Sequence, residues 1–211
     1  MIVRSGIAAL LCLCVAAPVL AQSRIEFGFG VSWSGGFDAG GADAQLTRNP
    51  ATGSSPLTLF STTSRVEAAL AMTASAGLYL TRHFEIEATA DYSRPVLTTA
   101  ISGDFEQATG DTAESRSKLL VAGGSVLYHF GAARLTPFVF GGAGWLRQLD
   151  EDNAILVTGG ELHGGAGVKY RLNRHFALRG DGGVSAREKS LSFDESRRIQ
   201  PRASGGILYR W

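Results

Sequence analysis

The chain has 211 residues, with 20 Lys and Arg against 19 Asp and Glu, so its formal net charge is +1. That length fits one domain of ordinary size, and the near balance of charge argues against a nucleic-acid partner. Glycine is abundant at 27 residues and proline scarce at 6, and no apolar run reaches the roughly 20 residues that a spanning helix needs.

The first residues read as an export signal. Arg4 supplies the basic start, Ile7 to Ala17 an apolar core too short to stop in a membrane, and Pro18 to Ala21 a small-residue cleavage site. The predicted division is a signal peptide at residues 1–21 and a mature domain at 22–211. Cys12 and Cys14 both lie in the signal. The mature chain is then expected to have neither disulfide nor thiol chemistry. Removing Arg4 leaves 19 bases against 19 acids.

Period-2 alternation begins at once. Ile25, Phe27, Phe29, Val31 and Trp33 alternate with Glu26, Gly28, Gly30 and Ser32, which predicts a strand with one apolar face. Asp38 to Ser64 is rich in Gly, Asp, Pro, Ser and Thr and reads as a long loop. Ala68 to Leu80 resumes the alternation, Thr81-Arg82-His83 turns, and Phe84 to Tyr92 forms a third strand with Glu85, Glu87 and Asp91 on its polar face. Arg94 to Arg116 reads as a second polar loop, with Val96 to Ile101 able to carry the strands further.

The fourth strand, Lys118 to Phe130, is assigned Leu120, Val126, Tyr128 and Phe130 outward. In the fifth, Phe138 and Phe140 are placed outward and Gly141 to Gly144 is a candidate bulge. Trp145 then has the wrong parity, so either the register shifts or it points inward. Gln148 to Gly159 reads as a loop. Leu162, Val168, Tyr170 and Leu172 alternate with Glu161, His163, Lys169 and Arg171, and Asn173-Arg174-His175 turns. Phe176, Leu178 and Val184 follow, against Arg179 and Asp181. A last loop, Ala186 to Pro201, precedes a closing strand, Arg202 to Trp211.

These are eight strands joined by alternating long loops and short turns, the pattern of a membrane barrel with long loops on one side only. The fold class predicted is all-β, an eight-stranded antiparallel up-and-down transmembrane β-barrel. A charge on the lipid face costs about 2–4 kcal/mol near the bilayer midplane. Glu85, Glu87, Asp91, Lys169, Arg171, Arg179 and Asp181 are therefore expected in the lumen, acids and bases neutralising one another. Trp33, Tyr92 and Tyr170, near strand ends, are expected at the membrane interfaces. A soluble lipocalin-like binder would turn these faces inside out.

The last stretch carries a resemblance. Ser204, Gly206, Tyr209 and Trp211 match the C-terminal signal of bacterial outer-membrane β-barrels: polar, any, Gly, any, any, aromatic, any, aromatic. The segment Leu135 to Trp145 is similar to the fifth strand of small barrels of the outer membrane protein A and X type. The resemblance implies an outer-membrane location, lipid around the barrel, and assembly by the barrel assembly machinery.

Some eight-stranded barrels modify lipid A with Ser and His. Here His163, with Glu161 on the same face, is the candidate. The His-x-Ser arrangement of the lipid A deacylases is absent, because Gly164 and Gly165 follow it. His83, His129 and His175 are placed in or near turns, facing solvent. The four histidines lack metal-ligand spacing and no nucleotide fingerprint occurs. The reading is a non-enzymatic barrel without cofactor, metal or catalytic residues, structural or binding an extracellular ligand through its loops. A narrow pore stands second and a lipid A hydrolase third.

Overall fold

The computed structural model describes residues 25–46, 57–102, 111–131, 133–187 and 198–211. The expected signal segment lies outside them. The elements are β1 (Ile25–Ser34), β2 (Phe37–Leu46), β3 (Leu57–Val66), β4 (Ala69–Tyr79), β5 (Phe84–Ser93), β6 (Val96–Ser102), β7 (Thr112–Arg116), β8 (Lys118–His129), β9 (Leu135–Leu149), β10 (Ile155–Arg171), β11 (Phe176–Arg187) and β12 (Arg198–Arg210). Eight of them close an antiparallel barrel in the order β1-β12-β11-β10-β9-β8-β5-β4. The other four form a sheet, β2-β3-β6-β7.

The barrel closes with a stagger. Cross-strand pairing leads from Ile25 through Leu78, Ile86, Val126, Gly141, Gly164, Val184 and Pro201. Pro201 returns to β1 at Gly35, whose N–H donates to its carbonyl at 2.9 Å. One circuit thus climbs the chain from residue 25 to residue 35. That shear tilts the strands and sets the barrel's width, and eight strands leave an interior that side chains can fill.

The outward face is apolar. Phe29, Val31, Leu70, Met72, Val126, Phe130, Leu162, Val184 and Ile207 are all at least half exposed. Exposed side chains of this kind belong to a surface that meets hydrocarbon, not water. No helix among the described residues is long and apolar enough to cross a membrane. The short turns and both strand termini, Ile25 and Arg210, share one end. Two of those turns have one design. Thr81 Oγ1 accepts from the N–H groups of His83 (3.2 Å) and Phe84 (3.0 Å). Asn173 Oδ1 accepts likewise from His175 (2.9 Å) and Phe176 (2.8 Å).

Three expectations are corrected. The polar stretches read as long loops are mostly strand: β2 and β3 continue β1 and β4 past the barrel, and β6 and β7 continue β5 and β8. Beyond Ala39, Ser64 and Val66, which are buried at its base, most of this extension is exposed or half-exposed on both faces, so no apolar alternation marks it. Pairing shifts by one residue where the extension begins, Ala71↔Ser93 below and Val66↔Leu97 above, beside Pro95, which has no N–H for a ladder. The reach from Gln148 to Gly159 is likewise a hairpin, with only Asp150 to Ala154 between β9 and β10.

The second correction concerns β9. Phe138 and Phe140 point into the lumen, 1% and 9% exposed, while Val139 and Trp145 point out. β9 pairs with β8 and β10 without a bulge at Gly141 to Gly144. Phe138 fits inside because its partner on β10 is Gly167, where a Cβ would lie 2.6 Å from the Phe138 ring. The third correction is His129. It is 1% exposed and faces the lumen, one residue before the turn.

Inward glycines fold the wall. Gly30 pairs with Gly206, Gly165 with Gly183, and Gly123 with Gly144. A Cβ on Gly30 would lie 2.7 Å from Gly206 Cα, and one on Gly183 would lie 2.8 Å from Gly165 Cα, both also striking a neighbouring carbonyl. These pairs are corners where the sheet bends too sharply for side chains. Gly183→Val should therefore lower unfolding stability by about 1–3 kcal/mol, as overpacking does, or prevent closure. Gly180→Ala, an outward site with open space around it, should leave it unchanged. Denaturant unfolding in detergent, read by heat-dependent gel mobility, measures both.

Candidate functional site

The lumen holds the polar faces of all eight barrel strands. A charge there escapes lipid but must find a partner, because an unpaired buried charge is costly. At the end with the termini, Lys169 from β10 is the hub. Its Nζ donates to Glu85 Oε2 at 2.8 Å, to Tyr79 Oη at 3.2 Å, and to Glu26. His129 Nε2 donates to the same Glu85 oxygen at 2.7 Å. Arg210 pairs with Glu26 and donates to Tyr79 Oη at 2.8 Å. Five barrel strands beside β10 are tied by this lattice: β1, β4, β5, β8 and β12. Phe138 roofs it, with Lys169 Nζ 5.9 Å and Arg179 Cζ 5.0 Å from its ring centre.

Further along, Arg179 pairs with Glu87 and donates to Asp181 at 2.8 Å, and Ser204 Oγ donates to Asp181 at 2.6 Å. Asp91 accepts from Thr73 Oγ1 at 2.5 Å and faces Arg202 at 3.4 Å. Glu161 is held by Arg187 at 2.6 Å and faces Arg202 at 3.7 Å. Towards the far end, Leu119, Val121 and Leu146 form a buried apolar cluster on the wall with Val157 against it. Gln148 Nε2 donates to Ser117 Oγ at 2.8 Å beside it.

The candidate residues named from sequence divide in this frame. Glu85, Glu87, Asp91, Lys169, Arg179 and Asp181 are brought together in the lattice. Arg171 is half-buried, and its Nε has no partner among the described residues. Trp33 and Tyr170 lie on the outward face, 40% and 37% exposed. Arg134 stacks 5.1 Å from the Tyr170 ring, and Arg94 Nε donates to Tyr92 Oη at 3.0 Å. In β12, Ser204 and Gly206 face inward, the first on Asp181 and the second in a corner pair. Tyr209 lies outward, edge-on to Phe176 at 5.5 Å. Trp211 is 76% exposed, and its N–H donates to Ile25 O at 3.1 Å.

One constellation was missed from sequence. Ser125 Oγ, on β8, lies 2.7 Å from His163 Nε2, on β10. The other ring nitrogen of His163 faces Glu161 Oε1 at 3.7 Å. Two strands away is a long reach for a Ser, and β9 makes it possible: Gly142 is the partner of both residues. A Cβ there would lie 2.6 Å from His163 Nε2 and 2.7 Å from Ser125 Oγ. Ser125 and His163 share the wall of a lumen cavity with Phe140, Arg179, Arg202 and Ser204. Periodicity alone could have flagged Ser125 as inward, but not its register against His163. Among the described residues no group of three or more His, Cys, Asp or Glu is placed to hold a metal.

Comparison with known proteins follows the architecture. Among solved structures, the chain is similar to the outer membrane protein OprG of Pseudomonas aeruginosa, at 10% identity and a TM-score of 0.58, over 90% of this chain and 96% of that one. It is also similar to Neisserial surface protein A, at 13% identity and a TM-score of 0.54, over 92% of this chain and all of that one. At such identities the likeness is one of fold. A search of curated proteins finds no match. The model of the family described as "Outer membrane protein beta-barrel domain" matches residues 6–196. The chain belongs to that family, and its place is the outer membrane.

Proposed function

We propose that the protein is a non-conducting barrel whose role is structural and, through its extracellular extension, one of surface interaction, with no turnover needed for that role. The observation that carries this is the packed lumen. The Lys169 lattice fills the periplasmic end, and Leu119, Val121 and Leu146 form a buried apolar cluster on the wall towards the other. A barrel of eight strands closed at one end in this way has little room for a solute path through it. What it offers instead is a rigid stand. The β2-β3-β6-β7 sheet rises from it, and every residue of β7 is exposed. At the mouth, Phe37, Val66, Pro95, Leu119 and Leu146 line a concavity that Gln200 also enters. Loops and extensions on a rigid scaffold are where binding usually sits. In this reading Trp33, Tyr92 and Tyr170 anchor the barrel at the interfaces. Ser204, Gly206, Tyr209 and Trp211 are what the assembly machinery reads.

A narrow pore is the second reading, favoured by the cavity at mid-lumen. Conductance separates the two. The purified barrel in a planar bilayer should give no defined single-channel steps. Steps that change when Glu85 or Arg179 is neutralised would establish the pore instead.

The lattice also makes a stability prediction. Lys169→Met leaves Glu26 and Glu85 facing each other without their shared cation. Breaking a buried pair in this way costs about 3–5 kcal/mol. The variant should lose its heat-dependent mobility shift at a lower denaturant concentration than the wild type. The surface role has its own test. Replacing residues 38–65 by a tight turn should leave a heat-modifiable barrel in the outer membrane while removing cell attachment or autoaggregation conferred by the full chain. Attachment that survives the trimming would move the interaction away from this extension.

A further inference from the structure

We propose that Ser125 is a nucleophile activated by His163, and that the lumen cavity in front of it takes short-chain carboxylic esters. This goes beyond the surface role. Four observations carry it. The first is the bond itself: at 2.7 Å the Ser125 hydroxyl can donate to His163 Nε2 in the tautomer that carries the ring proton on Nδ1, and in that tautomer Nε2 can serve as general base. His129 makes the contrast, because its Nε2 donates to Glu85 and is not free to take a proton.

The second is the third member. With Nε2 as acceptor, the proton of the ring sits on Nδ1, which faces Glu161 Oε1 at 3.7 Å. Glu161 is 2% exposed and fixed by Arg187 at 2.6 Å. At 3.7 Å it makes no hydrogen bond to the ring in this arrangement, but its charge favours the imidazolium, and a small shift would let it position Nδ1–H as the acid of a triad does. The third is Gly142. A Cβ there would crowd His163 Nε2 and Ser125 Oγ, as well as Gly124 O at 2.2 Å, so the pair can meet across β9 only over a glycine.

The fourth is the polar surplus around the pair. His163, Ser185 and Gln200 are cross-strand neighbours on β10, β11 and β12. His163 Nδ1, Ser185 Oγ and Gln200 Nε2 are buried without a hydrogen-bond partner among the described residues. Native interiors satisfy nearly all such atoms, so this row leaves polar capacity beside the pair for a ligand or water to take up. Arg202 lines the same cavity as Ser125, and its contacts to Asp91 (3.4 Å) and Glu161 (3.7 Å) are long. Its guanidinium has donors to offer a developing oxyanion, a role that the ladder-bound backbone N–H groups cannot fill.

The step balances within these groups. Ser125 Oγ bonds to the ester carbonyl carbon as its proton passes to His163 Nε2. The C–O bond to the alcohol breaks, and the alcohol leaves with that proton. Water then repeats the sequence, releasing the carboxylic acid and restoring Ser125.

The test uses the full chain, purified and refolded in detergent, with heat-dependent mobility as the check on closure. The probes are p-nitrophenyl acetate and a small fluorophosphonate, the adduct mapped by mass spectrometry. The expected result is an adduct on Ser125 that Ser125→Ala abolishes. His163→Gln should slow labelling by about 10²–10⁴-fold, the range of a lost general base. Glu161→Gln should slow it, with Glu161→Asp recovering part of the rate. If Ser125→Ala does not close, the His163 and Glu161 variants decide. A closed wild-type barrel with Ser125 unmodified, or labelling indifferent to His163→Gln, overturns the proposal.

Discussion

Inside hydrocarbon a backbone N–H or C=O with no partner costs several kcal/mol, so a strand that enters lipid must be paired on both sides. The remaining features of this barrel follow from meeting that demand with eight strands. β1 has to meet β12, and it does so over nine residue pairs, Glu26↔Arg210 to Ser34↔Arg202. Eight strands can close only if the sheet bends hard. The bend is concentrated where two inward glycines face each other, as at Gly30 and Gly206. Closure also divides the side chains into two sets with no third choice. Whatever cannot face lipid must fit in a narrow lumen, whether or not it suits its neighbours there.

The charged lattice is the consequence. Lys169 could not lie on the lipid face, and inside it meets two carboxylates, a tyrosine and an aromatic roof. Buried pairs of this kind are weak evidence for stability when compared with apolar packing. In a barrel that comparison changes, since alternation fills the lumen with the polar half of every strand. Given those residues, pairing them is the favourable arrangement. The lattice also ties strands that are not neighbours in the wall: Lys169 on β10 reaches Glu26 on β1 and Glu85 on β5. Such cross-lumen ties resist flattening of the barrel in a way that the ladder alone does not.

The sequence is legible where one physical rule decides. Lipid exposure imposes strict alternation, so the strands at Ile25 to Trp33 and Phe84 to Tyr92 can be read directly, together with the inward place of Glu85 and Glu87. The rule is silent where both faces meet water. β2, β3, β6 and β7 carry no apolar stripe and read as loops, although their Thr, Ser and Val residues suit strands. It also misleads where an aromatic is assumed to prefer lipid. Phe138 and Phe140 are as apolar as any lipid-facing residue, yet Gly167 opens the lumen to Phe138, and two cations lie over its ring. Parity counted from Val139 and Trp145 gives the correct register without any bulge. His129 was placed in solvent because it lies near a turn. Its parity between the outward Tyr128 and Phe130 already pointed it inward, and that parity buries it against Glu85.

The Ser125 and His163 pair is illegible for a different reason. A search for a nucleophile beside His163 in the chain finds Gly164 and Gly165, and stops. In a barrel, the residues nearest an inward side chain in space are not its chain neighbours, which point the other way or sit two places along. They are the inward residues at the same level on adjoining strands, and that level is fixed by the registers of β8 with β9 and of β9 with β10. Those registers are products of turn length and closure, not of any local pattern. The sequence does hold one mark of the pair, Gly142, but a glycine in a run that reads Gly141-Gly142-Ala143-Gly144 looks like a bend. Only when Ser125 and His163 stand on either side of it does its missing side chain become a gap through which a hydroxyl reaches an imidazole.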